Sequence, residues 1–166
     1  SLILEKYQKC IFPKYDALIT VTPHLVDKLK KINPETFMIT NYPIIQNKNE
    51  ANIREEAKAA KEKNICFAGG ISEQWNHETI INAIEDLEVE YLLCGSGSQE
   101  YIKHLKKLDS WKKVRYLGKI SFEDVKKVYE KSFVGMALPS YSPNSDFKTG
   151  TLGNTKLFEY MEAGIP

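Results

Sequence analysis

The feature that most constrains the fold is a regular alternation of apolar runs and helical segments that begins at Asn64. Each apolar run is followed by a glycine-containing or polar segment and then by helical spacing. The runs are 65–68, 91–94, 114–117 and 133–138. Strands that alternate with helices in this way are typical of parallel βαβ units. Because such crossovers are right-handed, helices cover both faces of the sheet. We therefore predict an α/β fold built on an open parallel sheet.

A shorter unit of the same kind precedes this region. The runs 17–21 and 37–40 predict two strands, and the Thr-Pro pair at 22–23 starts a helix between them. The following segment, 46–63, is almost wholly polar and charged, which indicates a linker or a solvated helix and favours an exposed connection. We divide the chain into 1–45, a polar linker at 46–63 and a main domain at 64–166.

Composition and charge exclude several classes of protein. The 166 residues are 42% hydrophobic, which suffices for a core, and the net charge of +1 argues against a nucleic-acid clamp. No apolar run approaches the ~18 residues that a membrane span needs. The three cysteines lack Cys-x-x-Cys spacing, so we expect neither a disulfide scaffold nor a zinc ribbon. The histidines are expected at the surface; they are His24, His77 and His104. Both ends predict a piece of a longer protein.

Glycines are concentrated where the predicted strands end, and ligands of parallel sheets bind at that edge. We predict turns there that let a ligand approach the backbone closely. The residues of these turns are Gly69, Gly70, Gly95, Gly97, Gly118 and Lys119. Ordinary turn chemistry explains each one alone, but together they favour a nucleotide-like ligand. No G-x-x-x-x-G-K-[ST] motif is present, and 95–100 matches a dinucleotide fingerprint only weakly.

The last predicted helix, at 154–163, is the richest segment. Its first-turn amides, its dipole and the neighbouring polar side chains suit an anion. The residues that would cap the helix and hold the anion are Gly153, Asn154, Thr155 and Lys156. Glu159, one turn further on, is placed to accept hydroxyls of a ribose. The alternative is that this helix only packs the core and that Glu159 is solvated.

The end of the chain resembles the C-terminal signature of GT-B glycosyltransferases of the group 1, or family 4, type. That signature is carried by Asn154–Pro166, and further segments are similar to the family's donor domain in the same order. They are Phe67–Ile71, Leu92–Gly97, Val114–Ile120 and Met136–Ser140. Residues 15–22 and 39–43 resemble the end of the family's N-terminal domain and its hinge. The resemblance spans nearly the whole chain, and the last helix is its most specific part.

The resemblance implies the donor-binding half of a retaining glycosyltransferase, with a Rossmann-like domain at 64–166 and the end of an acceptor domain at 1–45. The family transfers a sugar from a nucleotide diphosphate sugar to an acceptor hydroxyl, with no metal or other cofactor. The implied acceptor is a glycan or a lipid-linked sugar, and nucleic acid is not an implied partner. A cytoplasmic enzyme is implied, and a peripheral place at the inner face of the membrane is left open.

The resemblance also implies roles for particular residues. Lys156 and Glu159 are the catalytic candidates, Lys156 toward the diphosphate and Glu159 toward the ribose. The donor-binding set comprises Gly69, Gly70, Gly95, Gly97, Gly118, Lys119, Thr151, Gly153, Asn154, Thr155, Lys156 and Glu159, with the base near Gly118 and Lys119.

The sequence departs from the family's pattern at three positions. Gly70 and Trp75 stand where the family often has an Arg and a Lys, and Thr151 stands where it has the first of two glutamates. A non-catalytic nucleotide-binding or regulatory module that has lost the chemistry is therefore the alternative. A dehydrogenase-type dinucleotide site is the third possibility.

Overall fold

The structure is a computed structural model that describes residues 2–42, 62–141 and 154–166. Most of the predicted linker at 46–63 lies outside the described residues, as do Thr151 and Gly153. The chain divides into two compact units, one formed by 1–42 with 141–155 and the other by 43–140 with 156–166. The predicted division at 45 and 63 stays a prediction.

The first unit contains the predicted short βαβ motif. Its elements are α1 (Leu2–Ile11), β1 (Leu18–Thr20), α2 (Pro23–Lys30) and β2 (Thr36–Met38). The two strands pair in parallel, with Leu18 opposite Thr36. Pro23 stands in the first turn of α2, where a missing backbone N–H costs nothing. The amide of Asn33 donates to the carbonyls of Phe12 and Tyr15, at 3.0 Å and 2.9 Å, and so ties the loop before β2 to the end of α1.

The second unit is built on a four-stranded sheet. Its strands are β3 (Asn64–Ile71), β4 (Glu90–Gly97), β5 (Val114–Gly118) and β6 (Val134–Gly135). They lie in the order β5-β4-β3-β6, and every pair is parallel. The predicted open parallel sheet is therefore confirmed. The apolar run at 133–138 was predicted as a longer strand, but only two of its residues pair as β6.

Helices cover both faces of this sheet because side chains alternate along the strands. The helices are α3 (His77–Ala83), α4 (Gln99–Leu105), α5 (Phe122–Lys131) and α6 (Thr155–Glu162). One face buries Phe67, Ile71 and Leu93 with the isoleucines of α3 and α4. The opposite face buries Cys66 and Cys94 with aromatic residues of α5 and α6. Ser98 and Ser121 cap α4 and α5 by accepting from backbone N–H groups three residues on.

The predicted turns at 69–70 and 95–97 are wrong, because both segments continue their strands. β3 and β4 pair residue for residue from Asn64–Glu90 to Ile71–Gly97. A Cβ at Gly95 would lie 1.8 Å from the carbonyl oxygen of Gly69, and the φ of Gly95 is +129°. The absence of a side chain at Gly95 therefore lets the strands pair to their ends. Strand packing alone requires a glycine at this position, whether or not a ligand also does.

Candidate functional site

The strand order reverses at β3, and we call the end of β3 at this reversal the crevice, after the ligand site of open parallel sheets. The chain moves outward from β3 to β4 and β5, and then returns to the other side of β3 to form β6. Ligands of open parallel sheets bind at such a reversal, outside the carboxyl ends of the strands. The residues at this point are the last ones of β3, the segment that follows β6 and the start of α6.

Lys156, in the first turn of α6, reaches this point. Its ammonium lies beside Gly69, and a Cβ at Gly69 would be 2.6 Å from Nζ. The same nitrogen lies over two aromatic rings, 4.9 Å from the centroid of Phe67 and 4.6 Å from that of Trp75. The structure therefore brings together two residues that the sequence predicted separately, Gly69 and Lys156. It adds Phe67 and Trp75, which were not predicted as ligand-site residues.

The electrostatics of Lys156 follow from this enclosure. Burial of the ammonium lowers the pKa of Lys156, and the nearby Glu159 carboxylate opposes that shift. No acidic residue lies in the first turn of α6, so the amino end of the helix dipole and the lysine add the same sign of charge. An anion at this end of α6 would be stabilised by the helix dipole and by the lysine together. Next to it, Gly70 is exposed and the space where its Cβ would stand is open.

The segment before α3 is held in place by the segment after β6. The N–H of Ser140 donates to the carbonyl of Gln74 at 2.6 Å, and the amide of Asn76 donates to the carbonyl of Leu138 at 2.9 Å. The hydroxyl of Ser140 donates to the Asn76 side-chain oxygen at 3.1 Å. Asn76 itself has a left-handed backbone, with φ at +50°. These bonds fix the turn that carries Trp75.

His77 corrects the expectation that the histidines lie at the surface. It is fully buried, with Nδ1 2.9 Å from the Tyr91 hydroxyl and the ring edge-on to Phe67 at 4.6 Å. Burial, with the charge of Lys156, lowers the pKa of His77 from its usual 6.5 to about 4, so the ring is neutral near pH 7. Both ring nitrogens of His24 are also enclosed, whereas His104 is half exposed beside Glu78. Only His104 matches the expectation.

Glu159 lies three residues after Lys156 on α6 and contacts α5. The Tyr129 hydroxyl donates to Glu159 Oε2 at 3.0 Å, and both residues line a pocket between the helices. Burial first, and the Glu159 carboxylate second, raise the pKa of Tyr129 well above its usual range, so Tyr129 remains a donor. Glu162 shares the pocket and lies 3.5 Å from Lys126. Glu159 is therefore half-buried and hydrogen-bonded at the pocket, which differs from both a fully solvated side chain and a core residue.

The remaining predicted site residues are spread over the sheet edge. Gly118 ends β5 with φ at +65°, and the exposed Lys119 follows it. Because β5 lies two strands away from β3, these residues are about 10 Å from the crevice. Gly97 is the last residue of β4, while Asn154 and Thr155 stand at the start of α6. In the described ranges, no helix is both long enough and apolar enough to cross a membrane.

Comparison with known families gives a match over most of the chain. The family described as "Glycosyl transferases group 1" matches residues 48–166. No curated protein sequence matches the chain.

Solved structures with a similar fold cover nearly all of this chain. TarM from S. aureus has a TM-score of 0.69 at 19% identity, over 98% of this chain and 31% of its own. HepE from Anabaena, solved with UDP and glucose, has a TM-score of 0.74 at 15% identity, over 100% of this chain and 47% of its own. The lipopolysaccharide outer core galactosyltransferase WaaB has a TM-score of 0.64 at 15% identity, over 100% of this chain and 46% of its own. The chain thus spans about a third to a half of the length of these structures.

Proposed function

The chain belongs to the group 1 glycosyl transferases, and from this premise we propose that it is the donor-binding part of an enzyme that uses a nucleotide diphosphate sugar. The reaction would move the sugar from the diphosphate to a hydroxyl of an acceptor, with retention at the sugar carbon. One observation carries the proposal. The Lys156 ammonium stands at the strand-order reversal, at the amino end of α6, beside a glycine that leaves room for it.

The main task of such an enzyme is to stabilise the diphosphate that leaves. Negative charge grows on the leaving oxygen in the transition state. Fixed cations and N–H groups accelerate the reaction because they stabilise this charge more strongly in the transition state than in the substrate. Lys156 supplies the cation, and the first-turn amides of α6 supply the N–H groups. Both are in place before the substrate arrives, because Lys156 is enclosed by Phe67 and Trp75.

The nucleoside would lie along the strand ends toward β5. We assign the base to the backbone near Gly118 and Lys119, and the ribose hydroxyls to Glu159. Tyr129 holds Oε2 of Glu159, which leaves Oε1 to accept from a hydroxyl. The strand-end glycines, together with Thr151, Gly153, Asn154 and Thr155, complete the proposed donor-binding set.

The comparisons support uridine nucleotides as the first donors to test. HepE, which shares this fold, was solved with UDP and glucose. We propose a glycan or lipid-linked acceptor and a place in glycan biosynthesis in the cytoplasm. The expectation that transfer needs no metal also stays a prediction. Transfer assays with the full-length protein, in the presence and absence of a chelator, test it.

A thermal-shift series separates the candidate functions. The purified protein is heated with UDP, GDP, ADP or NAD, with the corresponding nucleosides as controls. Stabilisation by one nucleoside diphosphate, larger than by its nucleoside, supports the proposal, because ligands that bind only the folded state raise the melting temperature. Stabilisation by NAD alone indicates a dinucleotide module, and no stabilisation by any of them contradicts nucleotide binding.

A second measurement separates an enzyme from a binding module. The full-length protein that binds a nucleoside diphosphate is incubated with the matching nucleotide sugars, and release of free nucleotide is followed. Turnover supports the glycosyltransferase. Binding without transfer or hydrolysis supports the alternative, a nucleotide-binding or regulatory module, for which the departures at Gly70 and Thr151 are the specific observation.

A further inference from the structure

We propose that Trp75 is a positioning residue, which holds the Lys156 ammonium at the crevice through its indole ring. The inference rests on the proposed function, in which Lys156 meets the diphosphate. The resemblance to group 1 glycosyltransferases leads one to expect a cation at position 75. In this chain an aromatic ring stands there, and the cation comes from α6 instead.

The geometry is that of a cation enclosed by two rings. Lys156 Nζ is 4.6 Å from the centroid of Trp75 and 4.9 Å from that of Phe67, both within the ~6 Å range of cation–π attraction. The two rings are 5.3 Å apart and inclined by 59°, so they form a corner. Gly69 leaves the third side open to the lysine side chain. The ammonium therefore has a defined seat.

Both rings are held in place by their surroundings. Phe67 is buried, and its ring is nearly perpendicular to that of the buried His77, with the two ring centroids 4.6 Å apart. Trp75 is carried by the turn that is bonded to Leu138 and Ser140, as described above. The rigidity of the corner explains how a long, flexible lysine can act like a fixed charge.

The corner also compensates for lost water. The ammonium is half-buried, and burial of a cation without partners is unfavourable. The negative faces of the two rings replace part of its hydration, and the carboxylate of Glu159 adds to this effect. Because the lysine is ordered before a ligand arrives, binding a diphosphate does not have to restrict its rotamers again. A leucine at position 75 would fill space but supply no such face.

Nucleotide binding tests the proposal in a functional assay. Dissociation constants for UDP and uridine are measured for the purified protein and for Trp75→Leu, Trp75→Phe and Lys156→Ala, alone and combined. Trp75→Leu should weaken UDP by about 2- to 30-fold, the equivalent of one cation–π contact, with little effect on uridine. Trp75→Phe should restore most of the affinity. In the Lys156→Ala background, Trp75→Leu should have no further effect.

Equal losses for UDP and uridine would overturn the proposal, and so would a loss that persists in full in the Lys156→Ala background. Either result would make Trp75 a packing residue. If the unchanged protein binds no nucleoside diphosphate, the proposed function fails, and a readout that needs no ligand decides the role of Trp75.

That readout is tryptophan emission. The chain has two tryptophans, so Trp111→Phe leaves Trp75 as the reporter. In this background, Lys156→Met should change the intensity or wavelength of Trp75 emission, since it removes a charge 4.6 Å from the ring. Lys30→Met, an exposed lysine of the first unit, is the matched control and should leave the emission unchanged. Unchanged emission in Lys156→Met would overturn the contact and with it the positioning role.

Discussion

Lys156 occupies the space that a side chain at Gly69 would fill. A Cβ at Gly69 would lie 2.6 Å from Lys156 Nζ and 3.0 Å from Cε. The two residues belong to different elements, β3 and α6, and the glycine leaves room for the lysine to reach the rings of Phe67 and Trp75. The position of the Lys156 ammonium therefore depends on the missing side chain at Gly69 and not on a glycine turn.

We predict that Gly69→Ala both destabilises the protein and weakens nucleoside diphosphate binding. The φ of Gly69 is +152°, which an alanine rarely adopts, and the cost of such strain is about 1–3 kcal/mol. The new methyl group also displaces Lys156. Urea unfolding and titration calorimetry measure the two effects. Gly70→Ala is the control, since its Cβ meets open space; an equal loss of stability there would contradict the packing argument.

Lys156→Ala should weaken the binding of a nucleoside diphosphate by about 10-fold or more, the range for a charged hydrogen bond. It should weaken the binding of the bare nucleoside by less than about twofold. The difference should shrink as salt is raised, because the lost interaction is electrostatic. Titrations of UDP and uridine at low and high salt test this. Equal losses for both ligands would show that Lys156 does not contact phosphate.

Glu159→Gln should weaken nucleoside diphosphate binding by about 1–3 kcal/mol, the range for a hydrogen bond to a charged group, while folding changes little. The substitution is isosteric and still accepts the Tyr129 hydroxyl through its amide oxygen. Calorimetry and thermal melts on the full-length protein measure the two quantities. Tyr129→Phe is the companion variant, which removes the donor. A lower melting temperature with unchanged affinity in Glu159→Gln would mean that Glu159 is structural.

Stability should fall as the pH drops below about 6.5, because His77 stays neutral in the folded protein. Its pKa is lowered to about 4, so between these values the unfolded chain binds a proton that the folded protein excludes. Stability is therefore complete above the unfolded pKa and is lost as the pH falls. From about pH 7 to about pH 5 the loss is about 2 kcal/mol.

Urea unfolding of the wild type and of His77→Gln at the two pH values isolates this contribution. The variant should lose much less stability between them than the wild type does. His104→Gln, at an exposed histidine, is the control. A pH dependence that is the same in the wild type and in His77→Gln would exclude His77 as its source.

We predict that the 166-residue chain by itself transfers no sugar. It spans about a third to a half of the solved structures that it resembles, and alignment of donor with acceptor supplies a large part of the rate in group transfer. Assays of the chain with nucleotide sugars and simple acceptors should give no glycoside. Slow hydrolysis of the donor is compatible with the prediction, whereas formation of a glycoside is not.

The sequence predicts the fold better than the site. Apolar runs and the Thr-Pro helix start are local signals, so the open parallel sheet and the order of its helices follow from them. The extension of β3 and β4 through their glycines is different, because it depends on a partner strand that the sequence does not identify. The burial of His77 likewise results from Phe67 and Tyr91, which lie on two other elements.

Within the site, the sequence indicates Lys156 and Glu159 through their places on the last helix. It does not indicate that the Lys156 ammonium lies over the Trp75 ring while Glu159, its neighbour on the same helix, accepts from Tyr129. These partners belong to β3, to the turn before α3 and to α5, all of them far from α6 in the chain. Trp75 drew attention only as a departure from the family's pattern, and its role depends on a lysine far away in the chain.

The close approach at Gly95 has a consequence for how variation in this protein is read. Since a side chain there would lie 1.8 Å from the Gly69 carbonyl oxygen, a population of variants selected for folding alone would already reject every replacement at position 95. At position 70, where a Cβ would meet open space, many replacements would be accepted in the same selection. Only when the selection demands nucleotide would position 70 become restrictive. Intolerance at Gly95 would therefore report on architecture, and intolerance at Gly70 on the ligand.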